Sequence, residues 1–337
     1  MTTPSELKPR AAIFGSPWAT DNVYGQGRRE RVAALTQLHS DTITNENLAA
    51  QLSALRDLEV IFSTWGMPAL TAAQLDHLPN LKAVFYAAGS VQAFAAPLLE
   101  RGITVVSAWQ ANAVAVAEYT FAQILLANKG YFRNVQDCST YAGRKSEPFH
   151  SRGNYGATVA ILGCGAIGSR VAEWLKLVHL NVITFDPFLS DGRAAALNVR
   201  KVSLNEAFEQ GDVVSCHLAN NEKTKGMLGA EQFRRMKDNA VFINTGRGAT
   251  VDEPAMIAEL QRRPTITALL DVTLPEPPVE GSPLYTMPNV HQTSHIAGAL
   301  GDEVLRMADW MIEAFGQWQR GERLPYEVSM DMLATMA

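Results

Sequence analysis

The sequence predicts an α/β protein built as two doubly wound parallel-sheet domains, and three observations carry that expectation. Short, near-continuous apolar runs alternate with helix-like segments along most of the chain, the pattern of parallel strands covered by helices on both faces. The 337 residues suit two domains of ordinary size. A glycine-rich turn joins a strand to a helix near the middle of the chain rather than near its start.

In the first half, residues 10–15 (RAAIFG), 58–64 (LEVIFST), 81–86 (LKAVFY) and 103–107 (ITVVS) read as buried strands. A helix is expected over 28–40, with Val32, Leu35 and Leu38 on one side. Residues 113–130 (AVAVAEYTFAQILLANKG) predict a long apolar helix that stops at Asn128, Lys129 and Gly130. Segment 139–156 has Gly143, Pro148, Gly153 and Gly156 among polar residues and reads as loop. The second series runs strand 157–162, helix 166–178 and strands 181–185, 212–217, 240–245 and 266–271. A proline-rich stretch at 274–289 precedes a short strand at 290–293. Leu305, Ala308, Ile312, Phe315 and Trp318 recur at helical spacing over 302–318, which predicts a tail helix folded back over the first domain.

Composition narrows the function classes. With 47% hydrophobic and 19% charged residues, the chain is globular rather than disordered. A net charge of -5 lacks the basic excess of a nucleic-acid binder, so no nucleic-acid partner is expected. The most apolar segment, 111–127, is broken by Asn112, Glu118 and Gln123, short of the ~18 apolar residues of a membrane span. The opening MTTPSELKPR has no apolar signal-peptide core. Cys138, Cys164 and Cys216 are odd in number and widely spaced, which fits reduced thiols and a cytoplasmic location. No metal site is expected. His291 and His295 are four apart, but the residue after His291 is Gln292 rather than glutamate, and Pro288, Val290 and Thr293 favour an extended segment over a zinc helix.

The glycine-rich turn is Gly163-Cys164-Gly165-Ala166-Ile167-Gly168. Glycines in this spacing are common, but here they follow a buried strand and open an amphipathic helix marked by Ile167, Val171, Trp174, Leu175 and Val178. The next strand ends at Asp186. That βαβ arrangement is the dinucleotide fingerprint. Gly163 permits the tight turn, Gly165 lets backbone approach a pyrophosphate at the positive helix end, and Gly168 allows close helix–strand packing. Asp186 would accept hydrogen bonds from the adenine-ribose diol and repel a 2′-phosphate. No arginine follows directly, since Pro187, Phe188, Leu189 and Ser190 come next. NAD is therefore expected in preference to NADP.

Further candidates lie at strand ends, where open α/β sheets bind ligands. Arg247 stands between two glycines in AVFINTGRG, placed to reach a carboxylate. Taken alone it is equally compatible with a solvated turn arginine. Asp271 and Glu276 fall in LLDVTLPEP and His295 in VHQTSHIAG, where a core or capping histidine is the competing reading.

The order and spacing of these segments resemble the D-isomer-specific 2-hydroxyacid dehydrogenase family over about residues 80–325. The motifs are ILGCGAIG with Asp186, DVVSCHL with His217, FINTGRGATVDE with Thr245 and Arg247, LLDVTLPEP with Asp271 and Glu276, and PNVHQTSHIAG with His295. The resemblance implies that His295 is a general acid/base assisted by Glu276 and that Arg247 anchors substrate. It places Asp271, near the nicotinamide carboxamide, with His217 and Thr245 in the cofactor site, together with Gly163, Gly165, Ala166, Ile167, Gly168 and Asp186. Residues Gly89, Ser90 and Val91 of YAAGSV would hold the substrate carboxylate through backbone N–H groups, although a plain strand-to-helix turn has the same sequence appearance. A base titrating near neutrality suits removal of the hydroxyl proton during hydride transfer.

The implied architecture is two Rossmann-like or flavodoxin-like domains with an interdomain active-site cleft: residues 1–108 plus 299–337 for substrate binding and 109–298 for NAD binding. The implied activity is interconversion of a small D-2-hydroxy acid and its 2-keto acid by a homodimer. Departures from the family pattern occur at Gln92, Ala219 and Thr273, and Trp65, Trp109 and Gln110 match no subgroup, which leaves the substrate open. Two alternatives share the scaffold. One is a formate- or phosphite-type dehydrogenase, disfavoured for formate because Glu276 stands where those enzymes pair histidine with glutamine. The other is an NAD-sensing corepressor-like binding protein.

Overall fold

The computed structural model describes residues 8–145 and 151–333. The chain divides into two units, one formed by the described residues up to Ala113 and from Ala299 onward, the other by Val114–Gly298. The first crossing thus lies inside helix Trp109–Asn128, beyond the expected boundary at 108.

The first unit is a five-stranded parallel sheet of β1 (Arg10–Phe14), β2 (Gln37–Leu38), β3 (Val60–Ser63), β4 (Ala83–Tyr86) and β5 (Thr104–Ser107), in spatial order β2-β1-β3-β4-β5. This is the flavodoxin-like order. Every residue of β3 and β4 is buried, as expected for strands covered on both faces. The tail helix Glu303–Gln319 packs on β4 and on helix Pro17–Val23. Its Phe315 ring lies 5.2 Å from Phe62 and 5.6 Å from Phe85, centroid to centroid. Residues past it cover the free edge of β5: Ser107 N–H donates to the Tyr326 carbonyl at 3.1 Å and Val328 N–H to that of Val105 at 2.8 Å.

The second unit holds β6 (Thr158–Leu162), β7 (Asn181–Phe185), β8 (Arg200–Lys201), β9 (Val213–Cys216), β10 (Val241–Asn244), β11 (Thr267–Leu270) and β12 (Val290–Gln292). All pairings are parallel, in order β12-β11-β10-β9-β6-β7-β8. The order reverses between β6 and β9, which is the Rossmann arrangement and makes their carboxyl ends the switch point.

Local differences from the sequence reading have physical causes. The helix expected over 28–40 is Arg28–Leu35. Thr36 turns extended, donates its hydroxyl to the Val32 carbonyl at 2.8 Å and releases the chain into β2. Of the expected apolar face only Val32 is buried in that helix. The edge strands β2 and β8 have two residues each, too few for any periodicity to show. Within the loop expected over 139–156, Tyr141–Lys145 is helical, and residues 146–150 lie outside the described residues. Among the described residues no helix is long and apolar enough to cross a membrane.

Candidate active site

The glycine turn sits at the switch point. Gly163 has a left-handed φ of +86°, and a Cβ there would lie 2.9 Å from the His217 carbonyl oxygen at the end of β9. A Cβ on Gly168 would lie 2.1 Å from the Gly163 oxygen, so this glycine seats helix Ala166–Leu175 on its own turn. At Gly165, by contrast, a Cβ would meet nothing within 4 Å. Among the described residues the amides of Gly165, Ala166 and Ile167 donate to no protein acceptor. Free donors at a helix start facing open space are what an anionic pyrophosphate requires, so this turn fits a dinucleotide. Asp186 is held beside it: one carboxylate oxygen accepts from Cys164 N–H at 2.7 Å and the other from Phe188 N–H at 2.8 Å.

Three more predicted residues meet at the ends of β11 and β12. Glu276 Oε1 lies 2.6 Å from His295 Nδ1. His295 itself has φ +58°, a backbone conformation that a non-glycine residue adopts at a cost. Asp271 holds it there. This buried residue takes the His295 N–H on its main-chain oxygen at 3.1 Å. Its Oδ1 accepts from the Thr293 hydroxyl at 2.6 Å and Ile296 N–H at 2.8 Å, and its Oδ2 from Ala297 N–H at 3.0 Å. The carboxylate expected near a nicotinamide is thus also the clamp of the histidine loop.

Arg247 follows β10. Its carbonyl accepts from the Asn244 side chain at 3.1 Å and the Thr250 hydroxyl at 2.8 Å, while the Asn244 amide oxygen accepts from Gly246 N–H at 3.0 Å. Gly248 lets this turn press onto the next segment, since a Cβ would lie 2.1 Å from the Thr273 carbonyl. The guanidinium donates from Nη1 to the Gly246 carbonyl at 2.8 Å. Nε and Nη2 have no protein acceptor among the described residues. Burial lowers the guanidinium from its ordinary value, and the nearby charge of Glu276 opposes that shift. The result is a desolvated cation with a free fork, suited to a carboxylate or carbonyl oxygen.

His217 and Thr245 belong to a different arrangement. The His217 ring lies between Ser215 Oγ at 2.9 Å on Nε2 and Thr245 Oγ1 at 3.4 Å on Nδ1, and Thr245 in turn meets Thr120 Oγ1 at 3.1 Å. Burial pushes its pKa down to about 4, so the ring is neutral at pH 7.

In the first unit, Gly89, Ser90 and Val91 follow β4. The Ser107 hydroxyl bridges the carbonyls of Ala88 and Gly89 at 3.0 and 2.7 Å. The amides of Gly89, Ser90 and Val91 donate to no protein acceptor among the described residues, which leaves a run of N–H groups for an anion. Ser107, Asn244, Thr293 and Tyr119, whose hydroxyl is 3.0 Å from that of Thr293, are missing from the sequence-based site. The partners of Ser107, Thr293 and Tyr119 lie 18 or more residues away, whereas Asn244 bonds within its own turn, and only the strand-end position of Ser107 and Asn244 gave a signal.

The family model described as D-isomer specific 2-hydroxyacid dehydrogenase, NAD binding domain, matches residues 121–297. The D-3-phosphoglycerate dehydrogenase of Archaeoglobus fulgidus is 32% identical over 209 residues, covering 62% of this chain and 39% of that protein. The glyoxylate reductase of Korarchaeum cryptofilum is 29% identical over 290 residues, covering 84% of this chain and 86% of that protein. The chain spans about two fifths of the length of the curated phosphoglycerate dehydrogenases it matches. Among solved structures, D-mandelate dehydrogenase of Rhodotorula graminis shares the fold, with a TM-score of 0.80 at 20% identity over 96% of this chain and 98% of its own.

Proposed function

The chain belongs to the D-isomer-specific 2-hydroxyacid dehydrogenase family, and from that premise we propose that it interconverts a small D-2-hydroxy acid and its 2-keto acid with NAD. The observation that carries this reading is the 2.6 Å contact between His295 Nδ1 and Glu276 Oε1, with Asp271 fixing the backbone around His295 and Arg247 within reach of the Glu276 charge. With Nδ1–H committed to a carboxylate, the neutral ring is fixed as the Nδ1–H tautomer, Nε2 is left free to take a proton, and the imidazolium is stabilised.

When bound, NADH would supply the hydride and NAD+ would accept it, and the amides of Gly165, Ala166 and Ile167, with Asp186 for the adenine ribose, are the groups that would hold the cofactor. In the reducing direction, the Nε2 proton of His295 passes to the substrate's carbonyl oxygen as C2 gains its hydrogen. In the oxidising direction Nε2 takes the hydroxyl proton. The free Nε and Nη2 of Arg247 orient the carboxylate and polarise the carbonyl. On the first unit, the same reading assigns the unpartnered amides of Gly89, Ser90 and Val91 to the substrate carboxylate. The charge of Asp186 supports NAD over NADP. A homodimer is supported by the exposed Leu126, Tyr131, Val135 and Tyr141 on successive helices.

The test is oxidation of NADH and NADPH against glyoxylate, hydroxypyruvate, pyruvate, branched 2-keto acids and sugar-derived 2-keto acids. Turnover with at least one of them, at higher kcat/KM for NADH than for NADPH, is expected. Inertness towards the whole panel with tight NADH binding would point instead to a binding protein.

A further inference from the structure

We propose that Tyr119 and Thr293 are positioning residues, a hydroxyl relay that acts through Asp271 to hold His295 in its proton-transfer geometry. The proposal rests on the acid/base role assigned to His295 above.

The direction of the relay follows from donor and acceptor inventory. The Asp271 side chain accepts from three donors of the 293–297 loop: the Thr293 hydroxyl at 2.6 Å, Ile296 N–H at 2.8 Å and Ala297 N–H at 3.0 Å. Thr293 spends its single proton on that carboxylate. At its 3.0 Å contact with Tyr119 it is therefore the acceptor, and the phenol is the donor. Burial raises the Tyr119 phenol from its ordinary value, and the charge of Asp271 adds to this against the opposing bond to Thr293, so the phenol keeps the proton it donates.

The relay has a mechanical purpose. His295 carries a left-handed φ of +58°, and its N–H is tied to the Asp271 carbonyl at 3.1 Å. Both the residue two positions before it and the two after it end on the Asp271 carboxylate. Two of these ties use backbone N–H groups, which any side chain retains. The third uses the Thr293 hydroxyl, which a substitution removes. Tyr119, projecting from helix Trp109–Asn128, fixes that hydroxyl against the body of the second unit. Without the pair, the Asp271 carboxylate holds the loop only through the two amides after His295, and the side before it keeps just the backbone bond from Thr293 N–H to the Leu270 carbonyl at 3.0 Å.

Thr293→Val preserves shape and removes the hydroxyl, and Thr293→Ser restores it. We expect Thr293→Val to lower kcat roughly 10- to 100-fold, in line with the sensitivity of proton transfer to small misplacements. NADH affinity and the melting temperature should stay near wild type, and Thr293→Ser should return kcat to within about threefold. Tyr119→Phe should lower kcat in the wild-type background and add nothing in the Thr293→Val background, because it acts only through Thr293. Equal kcat for the valine and serine variants, or an undiminished Tyr119→Phe effect in the valine background, would overturn the relay.

A second readout works without turnover. The His295 imidazole resonances, assigned by their loss in His295→Gln, should shift or broaden in Thr293→Val and match wild type in Thr293→Ser. If wild type turned over none of the 2-keto acids, the functional reading would fall. The resonances would still decide the relay, for or against.

Discussion

His217 lies between two hydroxyls, and burial sets the cost of placing a charge on its ring. Its pKa of about 4, set by burial, lies below the roughly 6.5 of an unfolded histidine. Between those values the unfolded chain binds more protons than the folded one, so stability rises with pH across that window. The contribution is complete above about pH 6.5 and is lost as pH falls through about 4, and its full size is about 3 kcal/mol. Denaturation midpoints of wild type and His217→Gln, measured from pH 7 down to 4, should therefore converge as the medium is acidified. A constant gap would show that the ring takes up its proton in the folded state as readily as in the unfolded one. At this scale the sequence was legible where a residue's task is local. Gly163, Gly165, Gly168 and Asp186 stand at fixed offsets within one strand–helix–strand unit. Glu276 and His295 are 19 residues apart, and no periodicity connects them, so their pairing was legible only through the family resemblance. Tyr119 and Thr293 are 174 apart. Thr293 lies inside the PNVHQTSHIAG motif but nothing in the sequence links it to Tyr119, and their contact needs the folded sheet to exist.

At the scale of elements, apolar pattern is what made the fold legible. The strands β3, β4, β9, β10 and β11 are fully buried runs of four residues, and each was visible as a near-continuous apolar stretch. The two-residue strands β2 and β8 left no such trace. Pattern also overran its element at 28–40, where Leu35 and Leu38 continue a helical spacing that the hydroxyl of Thr36 ends. The tail helix Glu303–Gln319 was legible from its spacing, and its buried face (Val304, Leu305, Met307, Ala308, Met311, Ile312, Ala314 and Phe315) is broader than the sequence suggested. Phe315 is its anchor, fully buried against Phe62 and Phe85. Phe315→Ala should cost about 3–5 kcal/mol of stability, read as a fall in the denaturation midpoint. A loss under ~1 kcal/mol would mean that the helix is held by its other contacts.

For the whole molecule, the two sheet orders explain why chemistry gathers where it does. In the second unit the glycine turn follows β6, Arg247 follows β10, Asp271 and Glu276 follow β11, and His295 follows β12. Parallel strands bring those four loops to one end of one sheet, so residues spread over more than a hundred positions share an edge. In the first unit the free amides of Gly89, Ser90 and Val91 likewise follow a strand, β4. The parallel, doubly wound sheets could be expected from the alternation of helices and strands, but the reach of each side chain could not. The most direct test of the proposed chemistry compares wild type with His295→Gln, using the 2-keto acid that wild type reduces fastest and measuring NADH binding on the same samples. Loss of general acid–base help predicts a fall in kcat of roughly 10²–10⁴-fold, with NADH affinity within about threefold of wild type because the glycine turn and Asp186 are untouched. Near-normal turnover in His295→Gln would contradict the assignment of His295 as the proton donor.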